Sequence, residues 1–147
     1  MACSVELKYR NGCLPIGGDF SVKVNCNVGA NPAEQMVYER KRLASIRENR
    51  LLPDCFMDLS IGEYQLPLYL DIMRDFDCPV GTVPAYSFPV GSHVTGERVL
   101  DILKRQADDG ISFFTLHLTA SEKLFKLALK TRKIPVPSRG GHFRKRI

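Results

Sequence analysis

The residues CFMDLSIGEYQLPLYLDIMRDFDCPVGTV, numbers 55–83, contain the pattern on which the predicted fold of this chain depends. It begins with a short apolar run, Cys55–Leu59, continues with a helical pattern over Leu66–Asp75, and returns to a second apolar run at Val80–Val83. A strand, a helix and a strand in that order predict two parallel strands, because parallel neighbours need a long crossover connection. The stretch therefore predicts one β–α–β unit.

The same alternation continues on both sides of this unit. A strand at Val22–Asn27 precedes it, and strands at Ser112–Leu118 and Ile134–Pro137 follow it. Between these strands, further helices are predicted from Asn31 to about Asn49, from Thr95 or Gly96 to Asp109, and after Thr119. Five strands separated by four helices predict an α/β fold with a parallel sheet and right-handed crossovers, so all helices lie on one face.

Local signals mark the helix ends. Asn31 is the predicted N-cap of the first helix, with Pro32 at the first helical position and Glu34 able to bond back. Thr119-Ala120-Ser121-Glu122 has the same capping-box pattern, and Gly110 is the predicted stop of the third helix. The apolar side of the second helix is predicted at Leu66, Leu70, Ile72 and Met73, and that of the third helix at Val99, Leu100, Ile102 and Leu103.

Five parallel strands with helices on one face are typical of part of a (β/α)8 TIM-type barrel, which takes about 250 residues when complete. The 147 residues amount to about five of the eight units. We predict an N-terminal extension or short hairpin over 1–19, a partial barrel domain over 20–141, and a basic tail over 142–147. The open sheet edges and inner face would then need a cover.

Composition indicates an ordinary globular domain, with 44% hydrophobic and 25% charged residues. The sequence has no apolar run long enough to span a membrane and no secretory signal, so we expect a cytoplasmic protein without a membrane partner. The net charge of +5 is concentrated at the C-terminal end, which carries Arg139, Arg144, Lys145 and Arg146. That tail lacks interleaved aromatic residues, so we expect no nucleic-acid partner.

The five cysteines are expected to be structural. They are Cys3, Cys13, Cys26, Cys55 and Cys78, and no two of them have the C-x-x-C spacing of a zinc or redox motif. Three lie in or beside predicted strands, where a thiol usually serves as a small buried apolar group. We therefore predict no metal ligands in this chain.

The first two predicted strands end in candidate site residues. Asn27 offers a carboxamide that both donates and accepts, which suits a heterocycle edge or a ribose hydroxyl, although a loop-closing asparagine is the alternative. Asp58 is better explained as a helix cap, and Met57 most simply as core. Because the carboxyl ends of parallel strands meet at one edge, these residues should line one pocket.

The later strands end in further candidates. Tyr86 could stack on a base or simply pack, and His117 could move protons, bind metal or serve structure alone. Ser138-Arg139-Gly140-Gly141 combines a hydroxyl, a forked cation and open backbone amides, which suit a phosphate or carboxylate. A plain Gly-Gly turn is the alternative for that last segment.

Taken in order, these clusters resemble the phosphomethylpyrimidine synthase family, radical S-adenosylmethionine enzymes of thiamine biosynthesis. The matching strings, which span about residues 14–141, are Lys23–Gly29, Met57-Asp58-Leu59-Ser60 with Gly62, Gly81-Thr82-Val83-Pro84 with Tyr86, Phe114-Thr115-Leu116-His117, and Ser138-Arg139-Gly140-Gly141. The resemblance implies a (β/α)8 barrel and a carbon–carbon lyase that rearranges aminoimidazole ribonucleotide to hydroxymethylpyrimidine phosphate. Carried over by position, it implies substrate contacts from Asn27, Met57, Tyr86, His117, Ser138, Arg139 and Gly140.

The resemblance also implies S-adenosylmethionine, a [4Fe–4S] cluster and zinc as cofactors. Their family ligands, a cysteine triplet and later histidines, have no counterpart in these residues, and the family's pattern is lost after Gly141. Leu118-Thr119 also replaces the small residues that usually follow the strand-four histidine. We therefore expect the isolated chain to be inactive unless a complementary C-terminal fragment or a homo-oligomer completes it.

Two alternatives to this function stay open at this point. One is a paralogue of the 5-hydroxybenzimidazole synthase type, which uses the same nucleotide for a different product. The other is a catalytically inactive nucleotide-binding fragment that lacks the cluster domain.

Overall fold

The computed structural model describes residues 4–30, 33–62, 67–88, 95–116 and 122–133. Its strands are β1 (Ser4–Tyr9), β2 (Gly12–Gly17), β3 (Asn25–Val28), β4 (Cys55–Asp58), β5 (Val80–Thr82) and β6 (Phe113–Phe114). Its α-helices are α1 (Met36–Glu48), α2 (Leu68–Asp75), α3 (Gly96–Asp108) and α4 (Glu122–Thr131). Short 3-10 helices cover Ala33–Gln35, which leads into α1, and Pro84–Ser87, which follows β5.

The central feature is a parallel sheet in the order β3-β4-β5-β6. Each strand pairs with the next along the chain, and all three pairings are parallel. The predicted consecutive parallel sheet is thus confirmed for four strands. The predicted fifth strand, Ile134–Pro137, lies outside the described residues, as do the caps at Asn31 and Thr119.

The strands are shorter than predicted. Val22, 92% exposed, and Val24, 60% exposed, precede β3 instead of belonging to it. β3 pairs on one side only within the described sheet, so its register with β4 sets where it begins. Immediately before β3, the carbonyl of Val24 accepts bonds from the amides of Asp54 and Cys55 at 2.9 and 3.2 Å, and the Val24 amide donates to the Asp54 carboxylate at 2.7 Å.

One face of this sheet carries the hydrophobic core. Val28, Phe56 and Val80, from three adjacent strands, are at most 1% exposed and share one cluster with residues of α1 and α2. The helical members of that cluster include Met36, Leu43, Leu68, Tyr69 and Ile72. Since alternate strand residues point to opposite faces, α1 and α2 lie on the same side of the sheet. α3 reaches that side through Gln106, which bonds Thr82 of β5.

The α3 helix begins and ends as the sequence predicts. The hydroxyl of Thr95 accepts a bond from the amide of Arg98 at 3.3 Å, as expected for an N-cap. Gly110 follows the helix with φ of +100°, and the amide of Ile111 bonds back to the carbonyl of Gln106 at 3.0 Å. This left-handed turn strongly favours glycine, because other residues place a Cβ against the backbone.

The predicted buried side of α3 is partly wrong. Leu100 is 65% exposed, whereas Ile102 and Gln106 are 6% and 3% exposed. Ile102 and Gln106 are four residues apart and share one side of the helix. Leu100 is two residues from Ile102, about 200° around the helix axis, and therefore points away from the sheet.

The N-terminal segment was predicted to be either an extension or a short hairpin, and the structure shows a hairpin. β1 and β2 pair antiparallel from Ser4↔Gly17 to Tyr9↔Gly12, with Arg10 and Asn11 as the connecting residues. The Asn11 amide donates to the Asp77 carboxylate at 2.9 Å. This bond ties the hairpin tip to the connection that precedes β5, at the amino ends of the parallel strands.

The fold is therefore a mixed α/β arrangement with a four-stranded parallel sheet, as predicted in that coarser sense. Closure into part of a barrel and the domain limits at 19 and 141 stay predictions. No helix in the described ranges has both the length and the apolar character that crossing a bilayer requires.

Candidate functional site

The candidate site lies on the sheet face opposite α1, α2 and α3, where one row of paired residues crosses all four parallel strands. The register pairs Asn27 with Met57, Met57 with Gly81, and Gly81 with Phe113. Paired residues in neighbouring strands project to the same face, so these four positions are adjacent. The structure thus brings together two of the sequence-predicted site residues, Asn27 and Met57.

Gly81 leaves room for the aromatic ring of its neighbour. A Cβ atom placed on Gly81 would lie 2.2 Å from Cε2 and 2.3 Å from Cζ of Phe113, far inside van der Waals contact. The Phe113 ring therefore lies across the glycine of β5, toward Met57. The sequence offers no signal for a site role of Phe113, since a phenylalanine in an apolar run has the same pattern as any core residue.

Beyond this row, the hydroxyl of Thr115 approaches the sulfur of Met57 at 4.0 Å. Thr115 follows β6 and is held by its backbone amide, which donates to the carbonyl of Thr82 at 2.9 Å. The half-buried Met57 side chain therefore sits between an amide, a ring and a hydroxyl. A face of this composition can bind a small planar ligand that has an apolar surface and a polar edge.

The side chain of Asn27 is oriented by another residue of its own strand. The side-chain nitrogen of Asn25 donates to Oδ1 of Asn27 at 2.7 Å. Oδ1 of Asn25 in turn accepts from the thiol of Cys55 at 3.5 Å. Cys55 is only 7% exposed, and burial, followed by the nearby Asp54 carboxylate, raises the pKa of its thiol. The thiol therefore keeps its proton at neutral pH.

Asp58 is a structural cap, as the sequence predicted. One carboxylate oxygen accepts from the amide of Tyr69 in the first turn of α2 at 3.0 Å. The other accepts from the amide and the hydroxyl of Ser60 at 2.9 and 2.6 Å. At 6% exposure this carboxylate is committed to holding the connection from β4 to α2.

Tyr86 packs beside the site. It lies in the 3-10 helix after β5, is 5% exposed, and forms a small cluster with Ile61 and Val83. Its backbone carbonyl accepts from the amide of Gly62 at 2.8 Å, joining the connections that follow β4 and β5. In this structure the Tyr86 side chain packs against its neighbours, which was one of its two predicted roles. Its predicted substrate contact stays a proposal.

A buried polar network that the sequence did not reveal supports the same connection. The hydroxyl of Thr82 donates to Oε1 of Gln106 at 2.8 Å, and Nε2 of Gln106 donates to the hydroxyl of Ser87 at 3.0 Å. Thr82 and Gln106 are each 3% exposed. No sequence signal could have identified Gln106, since a glutamine in an amphipathic helix usually faces solvent.

The remaining predicted site residues, His117, Ser138, Arg139 and Gly140, lie outside the described residues. The structure therefore places Asn27, Met57 and Tyr86 and leaves these four as predictions. The basic tail from His142 to Ile147 also lies outside them.

A cavity lies at the other end of the sheet. It measures about 820 Å³ and lies between the hairpin tip and the connections that precede β5 and β6. Arg74 at its rim already pairs with Asp75 at 2.8 Å, and its floor is apolar, with Phe76, Val80 and Ile111. It contains none of the predicted site residues, so the candidate site remains the row on the open face.

The described cysteines do not form a ligand set for a cluster or for zinc. Cys13 lies exposed on the hairpin, Cys26 packs toward the helices, and Cys55 and Cys78 are buried or half-buried thiols. Across residues 4–30, 33–62, 67–88, 95–116 and 122–133, no three His, Cys, Asp or Glu side chains gather as a metal site. The residues described here therefore do not fit a [4Fe–4S] cluster.

Comparison with known proteins identifies the family. The model of the Radical SAM ThiC family matches residues 3–147. Phosphomethylpyrimidine synthase 1 of Saccharolobus solfataricus is 31% identical over 137 residues, which are 87% of this chain and 31% of the relative. The phosphomethylpyrimidine synthase of Methanococcus vannielii is 34% identical, over 87% of this chain and 32% of the relative. The chain spans about a third of the length of the curated relatives it matches. With nearly every residue inside the family match, this chain belongs to the Radical SAM ThiC family.

Proposed function

We propose that this chain supplies substrate-binding strand ends of a phosphomethylpyrimidine synthase, whose substrate is aminoimidazole ribonucleotide and whose product is hydroxymethylpyrimidine phosphate. The observation that carries the proposal is the row in which Asn27 and Met57 stand side by side on the open sheet face. These are two positions at which family resemblance implies substrate contact. Family membership supplies the reaction class.

The chemistry of the row suits an aminoimidazole. Met57 and the ring of Phe113 offer an apolar surface on which a flat heterocycle can rest. Asn27 supplies a carboxamide at one side of that surface, for the polar edge of the base or a ribose hydroxyl. Gly81 has no side chain, so it leaves space in the middle of the row.

His117 and Arg139 complete the proposal at the later strand ends. Imidazole can donate or accept a proton near neutrality, and a guanidinium can bond two phosphate oxygens at once. Ser138 and Gly140, on either side of Arg139, add a hydroxyl and a backbone amide for the same phosphate. These roles are implied by the resemblance and are part of the proposal.

The radical chemistry of the family depends on S-adenosylmethionine and a [4Fe–4S] cluster, which act as the source of the reactive species. Since the described residues do not fit the cluster, the role proposed for this chain is to bind and orient the nucleotide. Polypeptide outside these 147 residues, in the same chain or in a partner, would supply the cluster and zinc ligands.

A calorimetric titration of the chain with aminoimidazole ribonucleotide tests this function. We expect saturable one-site binding, and we expect Arg139→Ala to weaken it about tenfold, the value of a charge-assisted hydrogen bond. Arg146→Ala removes the same charge from the tail and should leave the affinity unchanged. Absence of binding by the unmodified chain would overturn the proposal, and equal losses in both variants would show attraction by general positive charge without a shaped phosphate site.

A further inference from the structure

Two asparagines and a thiol form a directional chain of hydrogen bonds at the edge of the candidate site. Asn25 and Asn27 are alternate residues of β3 and therefore project from the same face. Asn25 pairs directly with Cys55 across the strand boundary. The order of donors is Cys55 thiol to Asn25 Oδ1 at 3.5 Å, then Asn25 Nδ2 to Asn27 Oδ1 at 2.7 Å.

The direction of this chain has a chemical cause. A carboxamide presents an acceptor oxygen on one side and a donor nitrogen on the other, so fixing one side fixes both. Cys55 is buried beside Asn25, its register partner in β4, and its thiol keeps a proton that it can donate. The opposite direction would require the thiol sulfur to act as an acceptor, for which it is poorly suited. The amide of Asn25 therefore turns its oxygen to Cys55 and its nitrogen to Asn27.

The consequence falls on Asn27, the side chain nearest the proposed ligand surface. Its oxygen is occupied by Asn25, and no described residue accepts a bond from its Nδ2. Both Asn25 and Asn27 are exposed at this face, so the two N–H groups of Asn27 are open to a ligand.

We propose that Asn25 is a positioning residue that fixes Asn27 as a hydrogen-bond donor, so that the site selects a ligand with an acceptor atom over Asn27. That acceptor is an unprotonated ring nitrogen or an oxygen of the ribose. The proposal rests on the proposed function for the identity of the ligand. The orientation of the two amides, however, can be measured without any ligand.

The first test is side-chain amide exchange by NMR on the ¹⁵N-labelled chain without ligand. Because Asn25 donates to Asn27, the side-chain amide protons of Asn25 should exchange with solvent more slowly than those of Asn27. In Asn25→Asp the new carboxylate can only accept, so Asn27 must turn its nitrogen toward it, and the exchange of Asn27 should slow. Faster exchange at Asn25 than at Asn27 in the unmodified chain would overturn the proposed orientation.

The second test is titration of the same variants with aminoimidazole ribonucleotide. Asn25→Asp should weaken binding about tenfold, because Asn27 would then present an oxygen to an acceptor atom. Cys55→Ser keeps a donor beside Asn25 and should retain affinity, whereas Cys55→Ala should lower it a few-fold. Asn49→Asp, at the end of α1, controls for the added negative charge, and repeating the titrations in 0.5 M salt suppresses remaining charge repulsion.

The outcomes separate the two proposals. If the unmodified chain does not bind the nucleotide, the proposed function fails, and amide exchange alone still decides whether Asn25 orients Asn27. If the chain binds but Asn25→Asp binds equally well at both salt concentrations, the positioning role is wrong and the proposed function stands.

Discussion

The two faces of the parallel sheet differ in polarity and in exposure to solvent. The face toward the helices is dry and apolar, with Val28, Phe56 and Val80 at most 1% exposed. The opposite face carries amides, a thioether and a ring, and its asparagines are open to solvent. Successive residues of each strand point to opposite faces of the sheet. Residues that stabilise the core therefore alternate with residues of the proposed binding face. Substitutions at adjacent positions of one strand should therefore have different consequences.

The largest expected effect compares Phe56 with Met57. Phe56 is fully buried and its ring centroid lies 4.6 Å from that of Phe76, so Phe56→Ala should lower the free energy of unfolding by about 3–5 kcal/mol. Met57 is half-buried on the other face, and Met57→Ala should cost about 1 kcal/mol. Urea denaturation of both variants measures the difference, and similar losses would mean that the two faces contribute equally to stability.

An intermediate effect is expected from filling the space at Gly81. Gly81→Ala places a Cβ 2.2 Å from the Phe113 ring, so the ring must move, at a cost of about 1–3 kcal/mol in unfolding free energy. Removing the ring should remove most of this cost, so Gly81→Ala should be nearly neutral in a Phe113→Ala background.

Gly96 provides the control for this substitution. A Cβ on Gly96 at the start of α3 would meet nothing within 4 Å, so Gly96→Ala should be neutral or slightly stabilising. Equal destabilisation at Gly81 with and without Phe113 would show that the ring does not depend on this glycine. The same measurement by thermal unfolding should give the same ranking of variants.

The smallest expected effect compares two thiols. Cys78 packs against the helix-side core, and burial, followed by the charges of Cys55, Asp77 and Asp54, raises its pKa from 9.0 to about 11. A thiol that holds its proton more tightly when folded stabilises the native state below pH 9, and this contribution is lost as the pH rises through 11. The free energy of unfolding should therefore fall over that interval.

Cys78→Ala should flatten this decline, since the variant has no thiol to titrate at that position. Cys13→Ala, at an exposed position on the hairpin, should leave the decline unchanged. Urea denaturation at pH 8, 9, 10 and 11 compares the three proteins. If the free energy of unfolding of Cys78→Ala falls with pH as steeply as that of the unmodified protein, the titration of this thiol is not coupled to folding.

Local chemistry allowed much of the fold to be predicted. Alternating strand and helix patterns predict the consecutive parallel sheet, because parallel neighbours need long crossovers. Thr95 and Gly110 mark the ends of α3 through bonds and backbone angles within a few residues. Asp58 was predicted as a cap from its residue type, and its bonds to Ser60 are equally local, whereas its bond to the Tyr69 amide spans eleven residues. The places of Asn27 and Met57 at strand ends followed from the pattern and their neighbours in the chain.

The order of elements, their approximate ends and the strand ends that carry polar groups can thus be predicted from the sequence, since each depends on short-range periodicity and capping. Three features depend on packing between distant parts of the chain: Asn25 bonds both Asn27 and the neighbouring Cys55 thiol, the Phe113 ring covers Gly81, and Gln106 is buried while Leu100 is not. The links to Cys55, between Phe113 and Gly81, and from Gln106 to Thr82 join residues that are 24 to 32 positions apart and depend on strand register or helix rotation. A one-residue shift in the pairing of a strand with its neighbours would move each of its side chains to the opposite face of the sheet. The local sequence pattern of the strand would stay the same.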